Sequence, residues 1–199
     1  MKPSVFLFSF LVLFLTAQSP SYGQQDAPKE LRTTTAIESD LGNWKKYSSN
    51  EGRFSVDFPG TPKLSTEEAG TPSGKFTVNK CNVTTLAEYG VIYTDFPTKI
   101  DGSEAANAVL DNGAKAAVSR VKSKLLSITE INVGGYPGRL LKEEMRDGSI
   151  MYAKMILAGQ RLYQVAVTMP SAEKISENQT ATYQDAADKF LNSFRLILK

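Results

Sequence analysis

Between Ile131 and Met169 the chain reads INVGGYPGRLLKEEMRDGSIMYAKMILAGQRLYQVAVTM, apolar positions recurring at every second residue between two glycine-bearing bends. This pattern predicts three antiparallel strands joined by two tight turns. Ile150 to Leu157 places Ile150, Tyr152 and Ile156 on one face and Met151, Ala153, Met155 and Leu157 on the other. A strand with one wet face alternates apolar with polar, so a run apolar on both faces predicts cover above and below. The next strand sets Tyr163, Val165, Val167 and Met169 against Leu162, Gln164, Ala166 and Thr168. At the first bend, Arg146 to Ser149, Asp147-Gly148 is expected to supply the positive φ angles of a two-residue hairpin. Ala158-Gly159-Gln160 forms the second.

Upstream, Phe54, Val56 and Phe58 alternate in a strand that Pro59-Gly60-Thr61-Pro62 ends. Lys63 to Ala69 and Lys75 to Thr85 read as a hairpin closed at Gly70 to Gly74, and Glu88 to Asp95 as a further strand. Ala106, Leu110, Gly113, Ala117, Val121 and Leu125 recur at helical spacing, which predicts a helix from Ser103, its N-cap, to about Lys124. Gly113 costs about 1 kcal/mol of propensity there, and its missing side chain allows close approach to the sheet. Leu125 to Val133 leads into the meander. After a polar loop to about Gln179, Tyr183, Ala187, Phe190, Leu191 and Phe194 stripe a second helix, followed by a short strand, Arg195 to Leu198. Strands, helix, strands, helix predict an α+β domain, a mostly antiparallel sheet covered by helices on both faces.

The N-terminus changes the compartment. Lys2 precedes an almost unbroken apolar run from Val5 to Ala17, with Ser21 and Gly23 as the small residues of a cleavage site before Gln24. This predicts a signal peptide at 1–23, a polar linker at 24–43 and one domain at 44–199. A bilayer span needs about 20 apolar residues, so no stable membrane span is expected after cleavage; an uncleaved anchor is the alternative. Export suggests disulfides, yet Cys81 is the single cysteine of 199 residues and can form no internal bridge. Its expected place is half-buried in a strand, a reactive or intermolecular thiol being the alternative. With 23 basic and 21 acidic residues, the charge balance offers no concentrated basic face for nucleic acid.

Candidate chemistry is sparse. The chain has no histidine, which removes Ser-His-Asp and Cys-His pairs and histidine metal ligands. One cysteine removes a multi-thiolate zinc site. No catalytic, cofactor or metal residue is assigned. Glu67-Glu68 and Glu143-Glu144 are neighbours whose side chains point to opposite faces of a strand, and solvated charge is expected of both. Asp101-Gly102-Ser103 and Asp147-Gly148-Ser149 lack the ligand series of a calcium loop and read as turn or cap residues. Gly134 to Gly138 precedes a strand rather than a helix, so it is a turn and not a phosphate cradle. Lys45-Lys46 beside Trp44 and Tyr47 reads as a strand end with snorkelling lysines, or a small basic-aromatic contact patch. Asn82-Val83-Thr84 and Asn178-Gln179-Thr180 fit the glycosylation sequon, which matters only in a eukaryotic secretory pathway.

Trp44 with Tyr47, Ser49 to Pro62 (SNEGRFSVDFPGTP), Gly135 to Arg139, Leu157 to Val165 (LAGQRLYQV) and Phe190 to Phe194 (FLNSF) together resemble the landmarks of the PsbP-like and DcrB-like group, from about Trp44 to the C-terminus. That resemblance implies an antiparallel sheet sandwiched between helices. It also implies an extrinsic or envelope protein, secreted or periplasmic. The resulting expectation is an exported, non-catalytic binding or accessory domain whose partner is an unidentified protein or small ligand. The alternatives are a small secreted enzyme using carboxylate or lysine chemistry and a membrane-tethered assembly factor.

Overall fold

The structure, a computed structural model, describes residues 43–71 and 74–197. The expected signal peptide and, except for Asn43, the expected linker lie outside these residues.

Among the described residues, two antiparallel sheets and two helices make an α+β fold. The strands are β1 (Lys45–Ser49), β2 (Phe54–Phe58), β3 (Lys63–Thr71), β4 (Gly74–Thr84), β5 (Glu88–Asp95), β6 (Lys124–Val133), β7 (Tyr136–Glu144), β8 (Ile150–Ala158), β9 (Arg161–Met169) and β10 (Arg195–Leu196). The helices are α1 (Ser103–Val121) and α2 (Glu177–Ser193). Seven strands form the large sheet in the order β3-β4-β5-β9-β8-β7-β6. α1 carries the chain from β5 to the far edge, and the β6–β9 meander returns to pair β9 with β5. Leu125 to Val133 is thus no mere lead-in but most of a ten-residue edge strand.

A small sheet, β1-β2-β10, was not legible in the chain's periodicity, because β2 takes one partner from Arg195–Leu196 at the opposite end of the sequence. Its aromatics join the large sheet to α2. Phe54 stacks on Phe194 at 5.6 Å, and Phe58 meets Phe190 at 5.2 Å. Ile156, Tyr163, Val165 and Val167 share this core with Tyr183, Ala187 and Phe190 of α2. Met155, Leu157 and Leu162 share another with Ala106, Leu110 and Ala114 of α1. Each fully buried side chain of this size stabilises the fold by about 1.5–3 kcal/mol.

Several local expectations need correction. α1 is capped by Gly102 at φ 87° with no side-chain cap bond, so Ser103 is its first helical residue and not its cap. The helix ends at Val121 rather than near Lys124, because Lys122 turns left-handed at φ 53° and donates its N–H to the Val118 carbonyl. At the first bend of the meander only Gly148 takes positive φ, at 76°. The connection there is five residues long, Met145 to Ser149, with the Met145 N–H donating to the Ser149 carbonyl at 2.8 Å and Asp147 Oδ1 accepting from Ser149. The second bend has its glycine at φ 65°. α2 begins at Glu177 behind a full capping box of Ser176 and Gln179, a Ser-x-x-Gln signature.

Candidate functional site

Alternation along three adjacent strands brings one set of side chains together in a shallow groove. β4 contributes Lys80, Asn82 and Thr84, β5 contributes Glu88, Gly90 and Ile92, and β9 contributes Ala166 and Thr168. Gly90 lies opposite Asn82 on one side and Ala166 on the other. Two small residues side by side lower the floor and open a depression of about 90 Å³. A Cβ built on Gly90 meets nothing closer than 3.9 Å, so the glycine is not demanded by packing.

The groove's charges are unevenly committed. Lys80 is 6% exposed, and its Nζ donates to Glu67 Oε2 at 2.7 Å. Glu88 makes no ion pair among the described residues. Although the residue is exposed at the groove's rim, crowding by its neighbours strips water from its carboxyl and pushes it above the usual range, and the charge of Asp147 adds to the effect. Asp147 itself is held low, first by the Ser149 hydroxyl and then, against its own burial, by the Ser149 N–H and Lys174. Hydroxyls of Thr84 and Thr168 and the Asn82 amide complete a rim that can accept and donate hydrogen bonds. Lys80, Glu88 and Gly90 were missed in the sequence. The available signal was the alternation of polar Lys80, Asn82 and Thr84 across the Thr85–Ala87 bend from Glu88.

The other candidates separate. Cys81 is buried on the α2 side of the sheet in the aromatic core. Its thiol donates to Tyr47 Oη at 3.9 Å, and burial pushes its pKa up, which disfavours the reactive thiolate. Burial likewise raises Tyr47 to about 12. Trp44 packs edge-on against Tyr89 at 5.8 Å, with Lys189 Nζ 4.4 Å above its ring, while Lys45 and Lys46 stay exposed on β1. Gly134 and Gly135 form the β6–β7 turn at positive φ, whereas Gly138 belongs to β7. Asp101 pairs with Lys99 at 2.8 Å in the loop before α1. Glu67 and Glu68 are tied to Lys80 and Lys75.

Glu143 contradicts the expectation of solvated charge: it is 0% exposed. It lies beneath the C-terminal end of α1, where the Ser123 hydroxyl donates to its Oε2 and Oε1 has no partner among the described residues. Burial pushes its carboxyl upward. Among the described residues no three His, Cys, Asp or Glu side chains gather as metal ligands, and no helix is long and apolar enough to cross a membrane.

No protein-family model and no curated protein matches the chain. Among solved structures, the solution structure of cyanobacterial PsbP (CyanoP) from Synechocystis sp. PCC 6803 matches 78% of this chain and 94% of its own, with a TM-score of 0.53 and 13% identity. The fold is PsbP-like. PA94 of Pseudomonas aeruginosa matches 72% of this chain and 94% of its own at 15% identity, but its TM-score of 0.33 carries no argument. At these identities the PsbP-like likeness speaks for the fold alone.

Proposed function

We propose that the chain is an exported, non-catalytic accessory domain that binds a protein or small ligand at the cell envelope. The observation that carries this reading is the groove across β4, β5 and β9. It is open and mixed in polarity, its lysine is already neutralised by Glu67, and its floor is lowered by a glycine that packing does not require. A surface of that kind suits recognition more than bond-making chemistry, which favours enclosed sites with groups held in reactive states. Export rests on the Lys2, Val5–Ala17 and Ser21–Gly23 pattern, with cleavage after Gly23. The PsbP-like fold adds a scaffold of the same kind.

The same reading includes a sandwich in which α1 and α2 cover opposite faces of the large sheet. Its support is alternation: Met155 and Leu157 pack with α1, while Ile156 between them packs with α2.

The test is recovery of the chain with its partners from the native envelope, beside a Gly90→Phe variant that fills the groove. A partner held by the native chain and lost at least tenfold by the variant supports the reading. Equal recovery by both, or turnover of a substrate that Glu88→Gln abolishes, overturns it in favour of another surface or of carboxylate catalysis. A recovered chain whose mass begins at Met1 would instead favour the membrane-tethered alternative.

A further inference from the structure

Between α1 and β6 the chain turns in two residues, Lys122 and Ser123. Lys122 stands at φ 53°, in the left-handed region that favours glycine, and its N–H and that of Ser123 both donate to the Val118 carbonyl. β6 then slips its register on β7 between Leu125 and Ser127. Glu143 of β7 sits against this stretch, opposite Leu125 on one side and Met151 of β8 on the other. Its side chain is fully buried, the Ser123 hydroxyl bonds Oε2, and Oε1 has no partner among the described residues. A neutral carboxyl tolerates that arrangement. An ion does not, because its charge is shared by two oxygens, one donor serves them, and the C-terminal end of a helix is its negative pole.

We infer that residues 121–126 form a pH-operated latch: the neutral Glu143 carboxyl holds the end of α1 and the start of β6 down on β7, and its ionisation as pH rises releases them so that water reaches the carboxylate. Opening costs little at this place, since the left-handed turn is strained and the register slip already interrupts the β6–β7 ladder. The surrounding elements carry other charges. α1 brings Arg120 and Lys122 to this end, β6 brings Lys124, β7 brings Lys142 and Glu144, and the loop before β8 brings Arg146 and Asp147. Lys124 pairs with Glu144 at 3.4 Å, Lys142 Nζ lies 5.3 Å from the Tyr152 ring centre, and Asp147 is held by Ser149 and Lys174. Lys154 of β8 is turned to the end of α2. Burial, opposed by the Ser123 hydroxyl, therefore governs Glu143 and holds its carboxyl above the usual range.

Amide hydrogen exchange across a pH series, on the chain as recovered from an expressing host, provides the test, with the Lys122 and Ser123 amides as reporters and the Leu110 amide, deep in α1, as reference. Carboxyl-carbon NMR follows Glu143 in the same samples. Corrected for intrinsic exchange, protection of the two reporters is expected to fall by up to about tenfold per pH unit above about 4.3, the value of a free glutamate, and to level off above the higher folded value. Both reporters exchange at least about tenfold faster than Leu110 throughout, which marks a local opening. Glu143→Gln, neutral and of the same shape, removes the pH dependence. Ser123→Ala takes away the ion's donor and moves the levelling point to higher pH, an effect that a merely structural hydroxyl would not have. Circular dichroism checks that both variants keep the fold. A Glu143 carboxyl that titrates at or below about 4.3, or reporter protection that stays flat through its titration, overturns the inference. So does a fall that survives in Glu143→Gln, or reporters that exchange only together with Leu110.

Discussion

Glu143 is the residue at which local reasoning and three-dimensional environment part most sharply. As half of an acidic pair on a strand it reads as solvent-facing, but its partner Glu144 takes the outer position and Glu143 the inner one, under α1. Burial raises its pKa, so the folded state holds the proton more tightly than the unfolded chain does. Stability from this group is therefore full below the unfolded carboxyl value of about 4.3 and is lost as pH rises through the higher folded value. Asp95 has the opposite sign: Arg161 holds its carboxyl low, so its contribution is present above the unfolded value and lost as pH falls through the folded one. Glu143→Gln is expected to flatten the decline in stability above about pH 4.3, read by denaturant unfolding across a pH series. An unchanged slope would show that Glu143 ionises freely in the folded chain.

At the scale of elements, polar side chains decide how helices seat on the sheet. Lys154 interrupts the apolar face of Ile150, Tyr152 and Ile156, and its Nζ donates to the Leu191 carbonyl at 2.9 Å and to Asn192 Oδ1 at 3.1 Å, closing the end of α2. Arg139 ties β7 to α1 through Asp111 at 2.8 Å and Asn107 at 3.1 Å. Neither role is visible in periodicity, because each joins residues far apart in the chain, 32 positions for Arg139 and Asn107 and 37 for Lys154 and Leu191. The α2 capping box is, by contrast, local, and Ser176→Ala should lower stability by about 1 kcal/mol in thermal or chemical unfolding. Gly138 makes a stricter demand. A Cβ there would stand 2.5 Å from the Met155 carbonyl oxygen of β8 and 3.0 Å from the Ile131 side chain. Gly138→Ala should cost about 1–3 kcal/mol, since backbone must move to admit it. A loss under about 0.5 kcal/mol would mean that the β7–β8 pairing yields without strain.

Over the whole molecule, Phe194 joins the two sheets: it packs on Phe54 of the small sheet and on Tyr163 of the large one, each at 5.6 Å. Phe194→Ala should destabilise by about 3–5 kcal/mol while unfolding remains a single transition, because both sheets draw on one core. Separate transitions for near- and far-ultraviolet signals would instead show two independently stable parts. Alternating runs in β2, β5, β8 and β9, the stripes of both helices and the glycine bends specified secondary structure locally, since strand and helix periods are written in neighbouring residues. From them the sequence alone determined the α+β class and the apolar identity of both faces of β8. Tertiary structure decided the strand order, the β1-β2-β10 sheet, the burial of Glu143 and the meeting of Lys80, Glu88 and Gly90 in one groove. The physical reason is separation along the chain. Register between distant strands and the desolvation of a carboxylate depend on what packs alongside, and no local pattern of residues contains that information.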